Sequence, residues 1–144
     1  MSIFLDTCIP MYAAGNKHPY QKSCQEIIAA AAAGKMKVWT NTEVFQEILY
    51  RFFHIKEKQR GFELFDSFYK IMEGQILSVT AADTFLAREL AGKYSKSGFS
   101  PRDLIHLAVM INNGINKIIT TDSQFSRVNG IQIITPVTEL IIDD

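Results

Sequence analysis

The chain has 144 residues, 47% of them apolar, and its 15 basic residues balance its 15 acidic ones. This length and composition predict one folded domain over residues 1–144 and exclude a disordered chain. A neutral net charge argues against a broad cationic surface for non-specific nucleic-acid binding, but not against an enzyme that handles nucleic acid at a local site.

Short apolar segments alternate with helical periods along the whole chain. The predicted strands are about 2–5, 37–39, 76–79, 118–120 and 131–134. The predicted helices are about 7–14, 19–34, 41–54, 57–72, 81–96 and 101–113, with short turns of helix at about 123–127 and 136–142. This alternation predicts an α/β domain with a central, mostly parallel five-stranded sheet flanked by helices.

Two acidic residues directly follow predicted strands. Asp6 ends the first strand in FLDTCIP, and Asp122 follows the fourth in IITTDSQF. Ligands of parallel α/β sheets bind beyond the carboxyl ends of the strands, so both positions suit a site. Each also has a structural explanation, as the N-cap of the helical turn that follows it.

Two further acids lie in helices. Asp103 in SPRDLIHLAVM is at the third position of a helix opened by Ser100, where a capping box explains it equally well. Glu47 in NTEVFQEILYRF borders an apolar face, and its structural alternative is an ion pair with Arg51 one turn later.

Two more acids are assigned structural roles. Glu43 is expected to complete a capping box with Thr40, and Asp83 with Thr80.

Asp6, Glu47, Asp103 and Asp122 are expected to meet at one edge of the sheet. Four unpartnered carboxylates would raise one another's pKa, which a bound divalent cation prevents. Oxygen donors without a His or Cys cluster favour Mg²⁺ or Mn²⁺ over zinc.

The segments LDTCIP, TEVFQEIL, SPRDLIHLAVM and IITTDSQF, in this order, resemble the PIN domain, and in particular the single-domain VapC-type toxins. The resemblance spans residues 3–136 and implies the PIN-like three-layer sandwich. It implies a metal-dependent endoribonuclease that hydrolyses RNA phosphodiester bonds and is commonly paired with an antitoxin protein.

The resemblance also assigns roles to residues. The catalytic set is Asp6, Glu47, Asp103 and Asp122, the metal ligands are Asp6, Asp103 and Asp122, and the neighbouring hydroxyls are Thr7 and Thr120. Glu43 stays open as an alternative to Glu47. Cys8 is a departure, since family members often have Asn or another small polar residue there. His106 is expected to pack or hydrogen-bond within its helix layer.

Basic and aromatic residues suggest where RNA would bind. Arg51, Lys56 and Lys58 are candidate RNA contacts within RFFHIKEKQR, although a solvated helix junction explains them too. A second, modest basic cluster contains Lys17, His18 and Lys22. Aromatic residues at helical spacing are expected to be core, or else a surface for a homodimer or an antitoxin; they are Phe62, Phe65, Phe68 and Tyr69.

Two other functions fit the sequence less well. A non-catalytic PIN-fold module that binds RNA or protein would not need the complete acidic set. A phosphatase with an Asp nucleophile usually needs a second Asp two residues later, where this chain has Cys8. Cys8 and Cys24 are expected to be reduced thiols, and the sequence shows neither a signal peptide nor a membrane span, so a cytoplasmic location is expected.

Overall fold

The structure is a computed structural model that describes residues 2–137. Its strands are β1 (Ile3–Leu5), β2 (Val38–Asn41), β3 (Ile76–Leu77), β4 (Lys117–Ile119) and β5 (Gln132–Ile134). Its α-helices are α1 (Cys8–Ala14), α2 (Gln21–Ala32), α3 (Thr42–His54), α4 (Lys58–Met72), α5 (Ala81–Lys93) and α6 (Pro101–Asn112), with a 3-10 turn at Ser123–Arg127. Most of the turn predicted at 136–142 lies outside the described residues.

The strands form one sheet in the order β3-β2-β1-β4-β5, and each pair of neighbours is parallel. Strand β1 is central, with Leu5 paired to Ile119 of β4. The chain builds one side of the sheet as β2 and β3 and then crosses to the other side as β4 and β5. The strand order therefore reverses between β1 and β4, and a crevice is expected at their carboxyl ends.

The central strands are covered on both faces. Phe4, Leu5, Ile118 and Ile119 are completely buried, as the apolar runs predicted. Helix α4 packs on α1, α2 and α3, whereas α5 packs on α6. The predicted single-domain α/β fold with helices around a five-stranded parallel sheet is confirmed. Within residues 2–137, no helix combines the length and apolarity needed to cross a bilayer.

The capping and stop residues predicted for α2, α5 and α6 are found at the ends of these helices. Gly34 and Gly114 follow the last helical residues at φ +72° and +68°, a left-handed conformation that glycine adopts without a Cβ penalty. Ser100 with Asp103 forms a complete capping box. Helix α5 ends at Lys93 rather than near residue 96 because the Tyr94 carbonyl is engaged by Ser97 in a tight turn.

The capping prediction for α3 is wrong. Strand β2 continues to Asn41, and the Asn41 side chain accepts the Val44 N–H (3.1 Å) as the N-cap. The Thr40 hydroxyl is buried and has no hydrogen-bond partner among the described residues. With Asn41 as the N-cap, Glu43 lies one position too early to complete a capping box.

Candidate functional site

Asp6 lies at the carboxyl end of β1, at the point where the strand order reverses, and is only 7% exposed. The Thr7 N–H donates to its Oδ1 (2.8 Å), and the Thr120 hydroxyl donates to its Oδ2 (2.6 Å). Burial raises the pKa of Asp6, and the negative charge of Asp103 adds to the rise, while His106 and the Thr120 hydroxyl oppose it. The carboxylate is thus held in place but incompletely neutralised.

Thr120 links Asp6 to Asp122. The Thr120 Oγ1 that donates to Asp6 also accepts the Asp122 N–H (3.0 Å). Asp122 Oδ1 accepts the Gln124 N–H (2.9 Å), so Asp122 also caps the 3-10 turn. The structural and functional explanations for Asp122 are therefore compatible, because one carboxylate oxygen makes the cap.

Asp103 combines both roles in the same way. Its Oδ2 accepts the Ser100 N–H (3.1 Å), while Oδ1 has no hydrogen bond within residues 2–137. Burial raises the pKa of Asp103, and the charge of Asp122 raises it further, against the hydrogen bonds from Ser100 and the influence of His106. Asp6, Asp103 and Asp122 are consequently close enough to interact electrostatically.

His106 is completely buried and connects the helices to this edge of the sheet. Its Nε2 lies 2.6 Å from Glu47 Oε1 and 3.3 Å from Thr7 Oγ1, and its Nδ1 lies 2.9 Å from Asn41 Nδ2. The imidazole therefore joins α3 and α6 to the ends of β1 and β2. The sequence assigned it packing or bonding within a helix layer and did not show that it contacts Glu47.

The hydrogen bonds around His106 assign its tautomer. Asn41 Oδ1 accepts from Val44, so the Asn41 amide NH₂ faces His106 and donates to Nδ1. Nε2 then carries the proton and donates to Glu47. Burial works to lower the pKa of His106, but the hydrogen bond to Glu47 and the charges of Asp6, Glu47 and Asp103 outweigh it and raise the pKa.

Glu47 and Glu43 both lie near this network. Glu47 bonds His106, and the i+4 ion pair with Arg51 considered above is not formed. Glu43 is half-buried; burial and the charge of Glu47 raise its pKa, against His106 and Arg102. Glu43 therefore borders the site rather than serving the helix cap to which it was assigned, and Glu47 is the acid tied directly to the network.

A family comparison decides what kind of protein has this arrangement. The PIN-domain family model matches residues 3–131. The chain belongs to the PIN-domain family. Ribonuclease VapC13 of Mycobacterium tuberculosis is 31% identical to this PIN-domain protein over 130 residues, which cover 90% of this chain and 97% of that protein. The family resemblance found in the four sequence segments is confirmed.

Solved structures share the fold of this PIN domain. The VapBC2 structure from Rickettsia felis, bound to a DNA fragment from their promoter, aligns with a TM-score of 0.71 and 21% identity, over 94% of this chain and 98% of that chain. VapC20 of Mycobacterium tuberculosis, a sarcin-ricin loop cleaving toxin, aligns with a TM-score of 0.72 and 18% identity, over 88% of this chain and 95% of that chain.

The donor chemistry of the PIN-domain site fits a hard divalent cation. Asp6, Asp103 and Asp122 offer only oxygen donors. Burial, followed by the charge of a neighbouring carboxylate, raises the pKa of Asp6 and Asp103, and a bound cation would oppose both effects. Within residues 2–137, however, no three or more His, Cys, Asp or Glu side chains are already grouped closely enough to hold an ion. The carboxylates are neighbours, not a closed coordination shell.

Cys8 of the PIN domain packs beside Asp6 as an inert thiol. Its Sγ lies 4.0 Å from Asp6 Oδ2, and burial followed by the charge of Asp6 raises the pKa of Cys8 to about 12. Because the thiolate is the nucleophile, we expect iodoacetamide to alkylate native Cys8 at pH 8 at least ~100-fold more slowly than a free cysteine. Mass spectrometry of the labelled protein measures this, with urea-unfolded protein as the control; equal rates in the two states would contradict the burial.

The three candidate RNA contacts of the PIN domain separate in the structure. Arg51, on α3 one turn after Glu47, lines a cavity together with Cys8, whereas Lys56 and Lys58 do not line it.

The aromatic residues repeated along α4 differ in burial. Phe68 is in the core, Phe65 is partly buried, and Phe62 and Tyr69 are 43% and 49% exposed. The expectation of plain core is therefore correct for only part of the repeat.

Proposed function

We propose that this protein is a Mg²⁺-dependent endoribonuclease that hydrolyses RNA phosphodiester bonds as the toxin of a toxin–antitoxin pair. One observation carries the proposal: Asp6 and Asp122, joined through Thr120, lie at the sheet's switch point, within electrostatic range of Asp103 and beside the Glu47–His106 pair. The identity to proteins named VapC ribonucleases supports the activity. RNA is then the substrate and the cytoplasm the place of action.

The site residues have two roles, binding the cation and orienting the residues that bind it. Asp6, Asp103 and Asp122 would hold the cation, Mg²⁺ or Mn²⁺. Asp103 and Asp122 each use one carboxylate oxygen in a structural hydrogen bond, and each oxygen of Asp6 accepts one hydrogen bond and keeps a lone pair. When bound, the cation supplies charge neutralisation at the phosphate and lowers the pKa of the attacking water. Thr7 and Thr120 orient Asp6, and Thr120 also fixes the turn that carries Asp122.

Glu47 is suited to accept a proton or to position water rather than to bind the cation alone. The Glu47 side chain is 14% exposed, and one carboxylate oxygen is held by His106. The other carboxylate oxygen has no hydrogen bond within residues 2–137 and is available to the reaction. A non-catalytic binding module is not favoured, because keeping these carboxylates buried and mutually repelling costs stability that binding alone would not require.

The partners follow from the relatives and from the surface. Solved relatives are VapBC pairs, which supports an antitoxin protein as the partner of this chain. Tyr50, Phe53, Phe62 and Tyr69 form an exposed aromatic face along α3 and α4, which suits a protein partner or a homodimer. A membrane partner is not proposed.

The decisive test is cleavage of single-stranded RNA by the purified protein with Mg²⁺ and with EDTA. We expect cleavage with Mg²⁺, restoration by Mn²⁺ after chelation, and loss of at least ~1,000-fold in an Asp6→Asn, Asp122→Asn double variant. Undiminished metal-dependent cleavage by the double variant would reject the proposed site. Binding of RNA without cleavage, and without measurable Mg²⁺ affinity by calorimetry, would favour the binding module instead.

A further inference from the structure

A cavity of about 360 Å³ is lined by α1, the connection from α1 to α2, and the second half of α3, and Cys8 separates it from Asp6. Half-buried Cys8 lines it, and Cys8 Sγ is 4.0 Å from Asp6 Oδ2. Exposed Lys17 and Arg51 also line it. The cavity therefore has one wall in contact with Asp6 and carries two cations.

Of the three cationic side chains that line this cavity, one is hydrogen-bonded within residues 2–137 and two are not. Arg60, which lines it as well, is paired with Glu57 (2.6 Å) and donates to the Ala14 carbonyl (3.3 Å). Lys17 and Arg51, in contrast, make no hydrogen bond or ion pair with any of residues 2–137. One cation therefore anchors the cavity wall to α4, and two are available to an anion from outside.

Flat rings form another part of the wall. The rings of His18 and Tyr12, which both line the cavity, stack at a centroid distance of 4.2 Å and an angle of 20°. The Tyr20 N–H donates to His18 Nδ1 (3.1 Å), so His18 Nε2 carries the proton and is a donor. The His18 ring also stacks on Tyr20, at a centroid distance of 5.4 Å. An aromatic cluster that carries a donor can contact a nucleobase and also bind a phosphate oxygen.

We infer that this cavity is the subsite for the nucleotide next to the scissile phosphate of a single-stranded RNA. Lys17 and Arg51 hold the phosphate of that nucleotide, and the Tyr12–His18 stack faces its base. The inference rests on the proposed ribonuclease function and adds to it which residues hold the strand. Two cations beside an aromatic wall are the combination that single-strand binding uses, and the volume lies within the range of small-ligand pockets.

The test measures RNA affinity directly. A fluorescent single-stranded RNA of about 12 nucleotides is titrated in EDTA with the Asp6→Asn protein, so that cleavage does not interfere. We expect a Lys17→Met, Arg51→Met double variant to raise Kd roughly 10- to 100-fold. The slope of log affinity against log salt should become less steep by about 0.7 for each phosphate that the variant no longer neutralises.

A matched variant removes the same charge elsewhere. Lys70 and Arg88 are exposed and do not line the cavity, so Lys70→Met, Arg88→Met should change Kd by less than ~3-fold. A third variant, Lys56→Met, Lys58→Met, tests the helix junction outside the cavity. An effect of the matched or junction variant equal to that of the cavity variant overturns the inference, because binding would then follow diffuse charge or a different surface.

The subsite and the nuclease can fail separately. Wild-type cleavage together with unchanged RNA affinity in the cavity variant rejects the subsite alone, and leaves the two cations for an acidic protein partner. Weaker RNA binding by the cavity variant, combined with no cleavage by the wild type under any divalent metal, keeps the subsite and rejects the nuclease. Circular dichroism of each variant checks that the fold is retained.

Discussion

Replacing Asp103 by Asn is expected to lower the rate of RNA cleavage strongly and, in the same protein, to raise the free energy of unfolding. Asn keeps the structural role, because the hydrogen bonds of the Asp103 carboxylate come from Ser100, whose N–H donates to Oδ2, and an amide oxygen can replace that acceptor. The Asn amide NH₂ then takes the place of Oδ1, which has no hydrogen bond within residues 2–137. What is lost is the charge, and with it the proposed cation ligand.

The sign of the stability change follows from the pKa of Asp103. Burial and Asp122 raise that pKa above its ordinary value of 3.8, so the ionised carboxylate destabilises the folded state at neutral pH. In EDTA at pH 7 we expect Asp103→Asn to be more stable than the wild type, with a higher melting temperature. The gain should vanish below pH 3.8, where the group is protonated in both states. Cleavage should fall at least ~100-fold.

Asp83 provides the control, because it completes the same capping box on α5. Burial works to raise the pKa of Asp83, but its hydrogen bonds from Thr80 N–H (2.8 Å) and the Asn112 amide (2.8 Å) outweigh this and lower it. Both carboxylate oxygens are used, and Asn can replace only one acceptor. Asp83→Asn should therefore lose about 1 kcal/mol at pH 7.

Asp103→Asn and Asp83→Asn are predicted to differ both in stability across pH and in RNA cleavage. The loss in Asp83→Asn should shrink as the pH falls below 3.8 through the lowered folded value, since the charged form provides that stability. Its cleavage rate should equal that of the wild type at a temperature where both are folded. Urea unfolding across pH and an RNA cleavage assay give both results; destabilisation of both variants alike would mean that Asp103 is only a capping residue.

The fold was predictable because its signals are local. Alternating apolar segments, the glycine stops at Gly34 and Gly114, and the Ser100 and Thr80 boxes each involve neighbours in sequence. The α3 cap was misassigned because Thr40 and Asn41 are both good capping residues, and the choice depends on where β2 stops pairing. That pairing involves Leu77, far along the chain, and no local pattern determines it.

For the candidate site, the sequence predicted that the acids lie near one another, but it did not predict the hydrogen-bond network around them. Strand ends and the family resemblance selected Asp6 and Asp122, since both features are visible in sequence. The contact of His106 with Glu47 spans α6 and α3 and depends on how those helices cross. For a histidine on an otherwise apolar helix face, no sequence pattern tells whether the ring only packs in the core or also makes a hydrogen bond to a distant side chain. Once Asn41 is known to be the N-cap, its amide NH₂ needs an acceptor, and His106 Nδ1 provides it.

His106→Ala is expected to be the most destabilising single change in the site. The substitution leaves the bonded atoms of Glu47 and Asn41 without their partner and opens a cavity beside Phe4, whose ring centroid lies 5.4 Å from that of the imidazole. Unsatisfied buried groups and a cavity together predict a loss of about 3 kcal/mol or more. His54→Ala, at an exposed His that stacks on Tyr50, should cost less than ~0.5 kcal/mol.

Stability alone does not test whether His106 positions Glu47 for the reaction. The measurement is therefore cleavage well below the melting temperature, for His106→Gln, Glu47→Gln and the double variant. If the imidazole acts through Glu47, each single change lowers the rate by a similar factor and the double change adds little, because the two residues work as a unit. Full multiplication of the two losses would mean that they act independently, and a folded His106→Gln protein with wild-type cleavage would leave the pair a purely structural tie between α3 and α6.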